Sequence, residues 1–212
     1  PCVMDQPDHR ILVPAVLPAV NGTTTEYYWQ NGTLYGQKSG DESIFYLYDE
    51  NGSAYGFIYK NPTEQSYYYY EFNLQGDIIG IIDSTGTRVV EYTYGAWGDL
   101  ISFTGTLADT IGQKNPLRYR GYYYDAETGF YLTGTRYYDP EIGRFINADG
   151  YVSTGQGVLG TNMFAYCGNN PVNRKDPSGQ GWITALIITV VATVVAVVAK
   201  NQYTHPDRKS GS

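Results

Sequence analysis

An all-β chain is predicted by three features of this sequence. Tyrosine dominates the aromatics, with 23 residues against 7 Phe and 3 Trp, and it joins strand preference to a polar tip that suits a half-dry sheet face. Tyr-x-Tyr runs alternate with the period of two expected of a strand that buries one side. Between the runs stand Asp or Asn residues followed closely by glycine, the chemistry of tight turns. Nothing in residues 1–160 carries a helical apolar period.

Taken in order, residues 1–25 are Pro-rich, with a short apolar run from Ile11 to Val20 broken by Pro14 and Pro18. An extended segment or edge strand is expected there, because proline removes a ladder donor. From Tyr27 onward strand and turn repeat, as in FYLYDENGSAYGFIY (45–59), YYYEFNLQGDIIGII (68–82), YTYGAWGDLISF (92–103), YYYDAETGFYL (122–132) and RYYDPEIGRFI (136–146). The turns are Asp49 to Gly52, Asn73 to Gly76, Asp83 to Gly86, Asp125 to Gly129 and Asp139 to Gly143. Glycine at each turn's end can take a positive φ. The spacing is irregular, so this is a degenerate repeat of hairpin-sized units that bury a surface only when neighbours add on. A short helical turn is expected around Asn162 to Tyr166, and Asn169-Asn170-Pro171 reads as a break.

Composition removes several functions. The net charge is −7, which leaves no basic field for nucleic acid. Cys2 and Cys167 form neither a disulfide framework nor a metal-ligand spacing. His9 and His205 lie near the two ends, so neither a histidine triad nor a zinc site is expected, and no cofactor or small-molecule ligand is predicted. The start, PCVMDQPDHR, lacks the charged-then-apolar pattern of a signal peptide, and a chain beginning at Pro1 reads as a piece of a longer polypeptide. Asp83-Ser-Thr-Gly has the flavour of an aspartic-protease motif with one residue too many, and a β-turn explains it. Asn21, Asn31 and Asn51 match glycosylation acceptors, but Asn-Gly is the strongest hairpin-turn dipeptide. The tyrosine stripes could stack sugars; filling a wall is the expected role.

RYRGYYYDAETGFYLTGTRYYDPEIGRFINAD (118–149) and NMFAYCGNNPVNRKDPSG (162–179), with the preceding Tyr-Asp units, resemble the RHS/YD-repeat proteins. The likeness is densest to the RHS repeat-associated core domain that ends the repeat array. It implies degenerate YD-like strands over 1–65, YD repeats over 66–116, the core domain over 117–180, and a hydrophobic segment with a polar tail over 181–212. It implies further a spiralling β-sheet that forms a hollow shell around a C-terminal toxin or effector, with the core domain as its plug. In several bacterial members of this family, related to insecticidal toxin-complex components and teneurins, the core is an aspartyl autoprotease acting on its own chain. Carried over residue by residue, the resemblance makes Arg136, Asp149 and Asp176 the catalytic set. Two departures stand out: Gly150 follows Asp149 where the family usually has proline, and Gln180-Gly181 follows the turn where cleaving members commonly carry an apolar residue. The cut is expected near Gln180–Gly181.

The chemistry is sound in itself. Peptide hydrolysis without metal or nucleophile needs one group to take a proton from water and another to give one to the leaving amine, and two carboxyls can divide these roles. A guanidinium beside them can hold one ionised or stabilise the oxyanion. The plain alternatives are that Asp176 caps its own turn and that Arg136 pairs with Asp139 or Glu141 on the surface.

Trp182 to Ala199 is wholly apolar and close to the lower limit of a membrane span. Three readings fit: a C-terminal hydrophobic helix reaching a membrane, the start of an enclosed cargo, or a strand completing the plug. The function implied is the end of a secreted or surface-delivered toxin shell that encloses its own C-terminal effector and frees it by self-cleavage. The alternative is a non-cleaving, cell-wall-associated or adhesive surface protein. A hydrolase acting on external substrates is disfavoured, since the carboxylates would face an enclosed space.

Overall fold

A computed structural model describes residues 24–149 and 162–180, and the backbone of 13–16 and 183–184. The chain divides into two compact units. One contains residues up to Glu71 with Gly80–Glu91 and Gly105–Ala108; the other contains Phe72–Ile79, Tyr92–Thr104 and the chain from Asp109 onward.

Nine strands pair in chain order in one sheet: β1 (Val13–Val16), β2 (Thr25–Gln30), β3 (Thr33–Ser39), β4 (Glu42–Tyr48), β5 (Ala54–Lys60), β6 (Gln65–Phe72), β7 (Ile78–Asp83), β8 (Arg88–Tyr94) and β9 (Leu100–Thr104). β1 ends this order and contains Pro14, as expected of an edge strand. The β2–β3 hairpin turns on Asn31-Gly32, whose φ angles of 50° and 77° are those of the turn that matches strand twist. Asp49, Asn73 and Asp83 each accept backbone N–H bonds from residues two and four positions on, so the side chain closes the turn. This accounts for Asp83: its carboxylate is committed to Thr85 and Thr87 on the surface. Hydrogen bonds from the Thr85 hydroxyl and then from backbone amides hold its pKa below the ordinary value.

In the first unit the Tyr-x-Tyr alternation reads directly as faces. Ile44, Tyr46, Phe57, Tyr59, Tyr68 and Tyr70 are buried, whereas Phe45, Tyr67 and Tyr69 are exposed. The register Tyr46↔Phe57↔Tyr68 sets these three rings side by side, at centroid distances of 6.4 and 5.2 Å. Such cross-strand aromatic pairs are the unit of sheet stabilisation.

The second unit adds a four-stranded sheet, β10 (Tyr123–Tyr124), β11 (Tyr131–Thr133), β12 (Arg136–Asp139) and β13 (Arg144–Phe145), and a pair, β14 (Arg174–Lys175) with β15 (Ile183–Thr184). Its core is Tyr119, Tyr122, Tyr131, Tyr138, Phe145, Tyr166 and Cys167. A buried phenol needs a partner for its hydroxyl, and the loop between β8 and β9 supplies three. Tyr119, Tyr138 and Tyr131 donate to the carbonyls of Ala96, Trp97 and Gly98 at 3.2, 2.6 and 2.9 Å.

Helix content departs from expectation in two places. Ala108–Gly112 forms one helical turn, too short to leave an apolar period. Around Asn162 the chain makes a turn closed by Ala165 N–H to the Asn162 carbonyl, and the helical turn comes later, at Cys167–Asn169. Ile183–Thr184, the start of the apolar segment, is strand paired to Arg174–Lys175. The helix expected over the rest of 182–199 lies outside the described residues. Among the described residues no helix is long and apolar enough to cross a membrane.

Candidate functional site

Arg136 opens β12, Asp149 follows β13, and Asp176 follows β14. The fold brings all three together. Arg136 Nη1 lies 3.2 Å from Asp149 Oδ2, and Nη2 lies 3.2 Å from Asp176 Oδ2. Side-chain exposures are 7% for Arg136, 16% for Asp149 and 3% for Asp176, so the arginine is not in the surface pair with Asp139 or Glu141 that its neighbours suggest. The Phe145 ring covers the guanidinium 3.5 Å from its carbon, a cation–π contact strengthened by desolvation. Nη1 also donates to the Met163 carbonyl at 3.1 Å.

Asp176 has two roles at once. Its Oδ2 meets Arg136, and its Oδ1 accepts the Gln180 N–H at 3.2 Å. The turn cap suggested by Asp-Pro-Ser-Gly is therefore present, and the same carboxylate touches the amide of the residue before the expected cut. Thr135 Oγ1 donates to the carbonyls of Ser178 and Gly179 at 3.2 and 3.3 Å, pinning the exit segment along the β11–β12 turn. Gly181 lies outside the described residues. A cleft of about 410 Å³ opens here, lined by Arg136, Asp149, Gly179 and Gln180 among others. Asp149 thus faces space a water can enter, while Asp176 faces the chain.

Gly179 has φ of 68°, and a Cβ there would strike the Thr133 carbonyl and come within 2.9 Å of its hydroxyl. Gly179→Ala is expected to cost about 1–3 kcal/mol from backbone strain alone, read as a lowered urea midpoint. An unchanged midpoint would show that the exit segment is not held against β11.

A second buried pair escaped the sequence reading. Arg120 Nε lies 3.4 Å from Asp77 Oδ1, with side-chain exposures of 1% and 5%. Arg120 also donates to the carbonyls of Gln75 and Pro171, and its backbone N–H bonds Asp77 Oδ1 at 3.0 Å. Nη1 and Nη2 are spent on these carbonyls and tie the loop after β6 to the core, while the buried Nε faces Asp77 as an ion pair without a hydrogen bond. Tyr122 and Tyr166, also missed as site residues, form a hydroxyl relay behind Asp176. Among the described residues no group of three or more His, Cys, Asp or Glu could hold a metal ion.

The chain is similar to known proteins. The family model described as Teneurin YD-shell matches residues 29–172. The tRNA nuclease WapA of Bacillus subtilis is 36% identical over 170 residues, which are 79% of this chain and 7% of that protein. Double-stranded DNA deaminase toxin A of Burkholderia cenocepacia is 34% identical over 119 residues, 54% of this chain and 8% of that one. The crystal structure of TcdB2-TccC3 without its hypervariable C-terminal region superposes with a TM-score of 0.62 at 24% identity, covering 78% of this chain and 8% of that chain. The chain thus spans less than a tenth of these much longer relatives. The strand meander, the tyrosine core and these matches together make the chain a member of the teneurin YD-shell family, an RHS/YD-repeat protein related to bacterial toxins.

Proposed function

We propose that this chain is the closing end of an RHS-type toxin shell that encloses a C-terminal effector, and that it cuts itself between Gln180 and Gly181. The carrying observation is that one buried guanidinium gathers two carboxylates distant in sequence, one of which holds the Gln180 amide. Asp149, open to the cleft, takes a proton from water as its oxygen adds to the Gln180 carbonyl carbon. The two acids share one proton, held at the outset by Asp176. As the C–N bond breaks Asp176 gives it to the departing Gly181 amine, and the proton that Asp149 took from water passes back to Asp176. Water is divided between a new carboxyl at Gln180 and a new amine at Gly181. Arg136 orients both acids and offsets the negative charge that develops. The intramolecular setting supplies proximity. In this reading the partner is the chain's own downstream segment, the location is secreted or at the cell surface, and the catalytic set serves no external substrate.

Intact mass and N-terminal sequencing of the purified full chain test this. The expected products end at Gln180 and begin at Gly181. Asp149→Asn and Asp176→Asn are each expected to slow the cut at least about 10²-fold, the usual worth of an acid or base. A single uncut species in parent and variants alike would leave a passive wall, the behaviour of an adhesive or structural surface protein.

A further inference from the structure

We propose that Tyr122 is a positioning residue for this self-cleavage, gripping Asp176 by its backbone so that its carboxyl stays between Arg136 and the Gln180 amide; the inference rests on the reading above. The Tyr122 hydroxyl donates to the Asp176 carbonyl at 2.9 Å and accepts the Asp176 N–H at 3.3 Å. Its second lone pair receives the Tyr166 hydroxyl at 3.4 Å. One donor and two acceptor sites are all that a phenol has, and here all three are filled. Bonds to the N–H and the carbonyl of one residue fix the peptide planes on both sides of its Cα. Pro177, which follows, narrows the Asp176 backbone further.

The grip is itself anchored. Tyr122 is buried, its N–H bonds the Tyr119 carbonyl at 2.9 Å, and its own carbonyl accepts Arg118 N–H at 3.1 Å. The hydroxyl is therefore held by a tight turn of the core, away from competing water. Burial also raises its pKa, so the phenol remains a donor throughout the working range. The hydroxyl thus ties Asp176 to a rigid part of the fold.

The test is a time course of self-cleavage by the full chain after in vitro translation, fitted for rate constant and final amplitude separately. Tyr122→Phe keeps the ring and removes the grip. The expected result is a rate constant lowered by about 10- to 100-fold, the cost of a small misplacement, at full amplitude. Tyr166→Phe, which reaches Asp176 through the Tyr122 hydroxyl, is expected to slow the cut less. A parental rate constant in Tyr122→Phe overturns the proposal, whether or not amplitude is lost, because a merely structural hydroxyl would change only the fraction that folds. If Tyr122→Phe yields no protease-resistant core, Tyr166→Phe decides: an unchanged rate constant overturns the proposal. A parent that never cuts overturns the underlying reading, which separates the two failures.

Discussion

Titrated upward from neutrality, the chain is expected to unfold in one cooperative step near pH 11, about one unit above the ordinary phenol pKa. Burial pushes the phenols of Tyr94, Tyr122, Tyr131, Tyr138 and Tyr166 above their ordinary value of 10.0. Burial likewise takes the Cys167 thiol from 9.0 to about 12. Above pH 10 the folded chain therefore holds more protons than the unfolded one. Stability is full below pH 9, where the thiol of the unfolded chain starts to ionise, and falls more steeply past pH 10 as its phenols follow. At pH 11 each phenol kept neutral costs about 1.4 kcal/mol. Five cost about 7, comparable with the whole net stability of a typical domain. Phenolate absorbance and far-ultraviolet circular dichroism should change together. Phenols that ionise one by one near pH 10 with the strands intact would show that water reaches this core.

Arg136→Met should be the most damaging single substitution at the site. It leaves Asp176, 3% exposed, without its guanidinium, and Asp149 beside it in the same condition. Breaking a buried pair in this way costs about 3–5 kcal/mol, because the remaining charge stays desolvated. The urea midpoint should fall accordingly, with the slope unchanged. Arg144→Met, at an exposed position on β13, should stay within about 0.5 kcal/mol. Replacing Arg136, Asp149 and Asp176 together by apolar residues should recover part of the loss, since no lone charge is left behind. Equal midpoints for the two single variants would mean that Arg136 holds nothing.

Local chemistry was legible and long-range chemistry was not. Asn31-Gly32, Asp49 and Asp83 each encode their turn within five residues, so the hairpins could be placed from residue type alone. The faces of β4 to β6 followed from alternation. Arg136, Asp149 and Asp176 came from a family motif, not from spacing. What convergence adds is the reason: the ends of β13 and β14 deliver their carboxylates to the start of β12. Arg120 and Asp77 had no such motif. Their pairing depends on a left-handed backbone at Arg120, φ 56°, and on carbonyls at Gln75 and Pro171 that no local pattern marks. The loop carbonyls that receive Tyr119, Tyr131 and Tyr138 are equally silent in sequence. The helical turn at Ala108–Gly112 spans too few residues to show a period.

Because β1 to β9 pair strictly with their sequence neighbours, each hairpin can close as soon as it leaves the ribosome, without waiting for anything downstream. Arg136 and Asp149 emerge next and meet no second acid. Asp176 arrives last, after all nine strands of that sheet have been made. Translation itself thus acts as a clock: any scission that needs all three side chains is postponed until every hairpin of that sheet has left the ribosome.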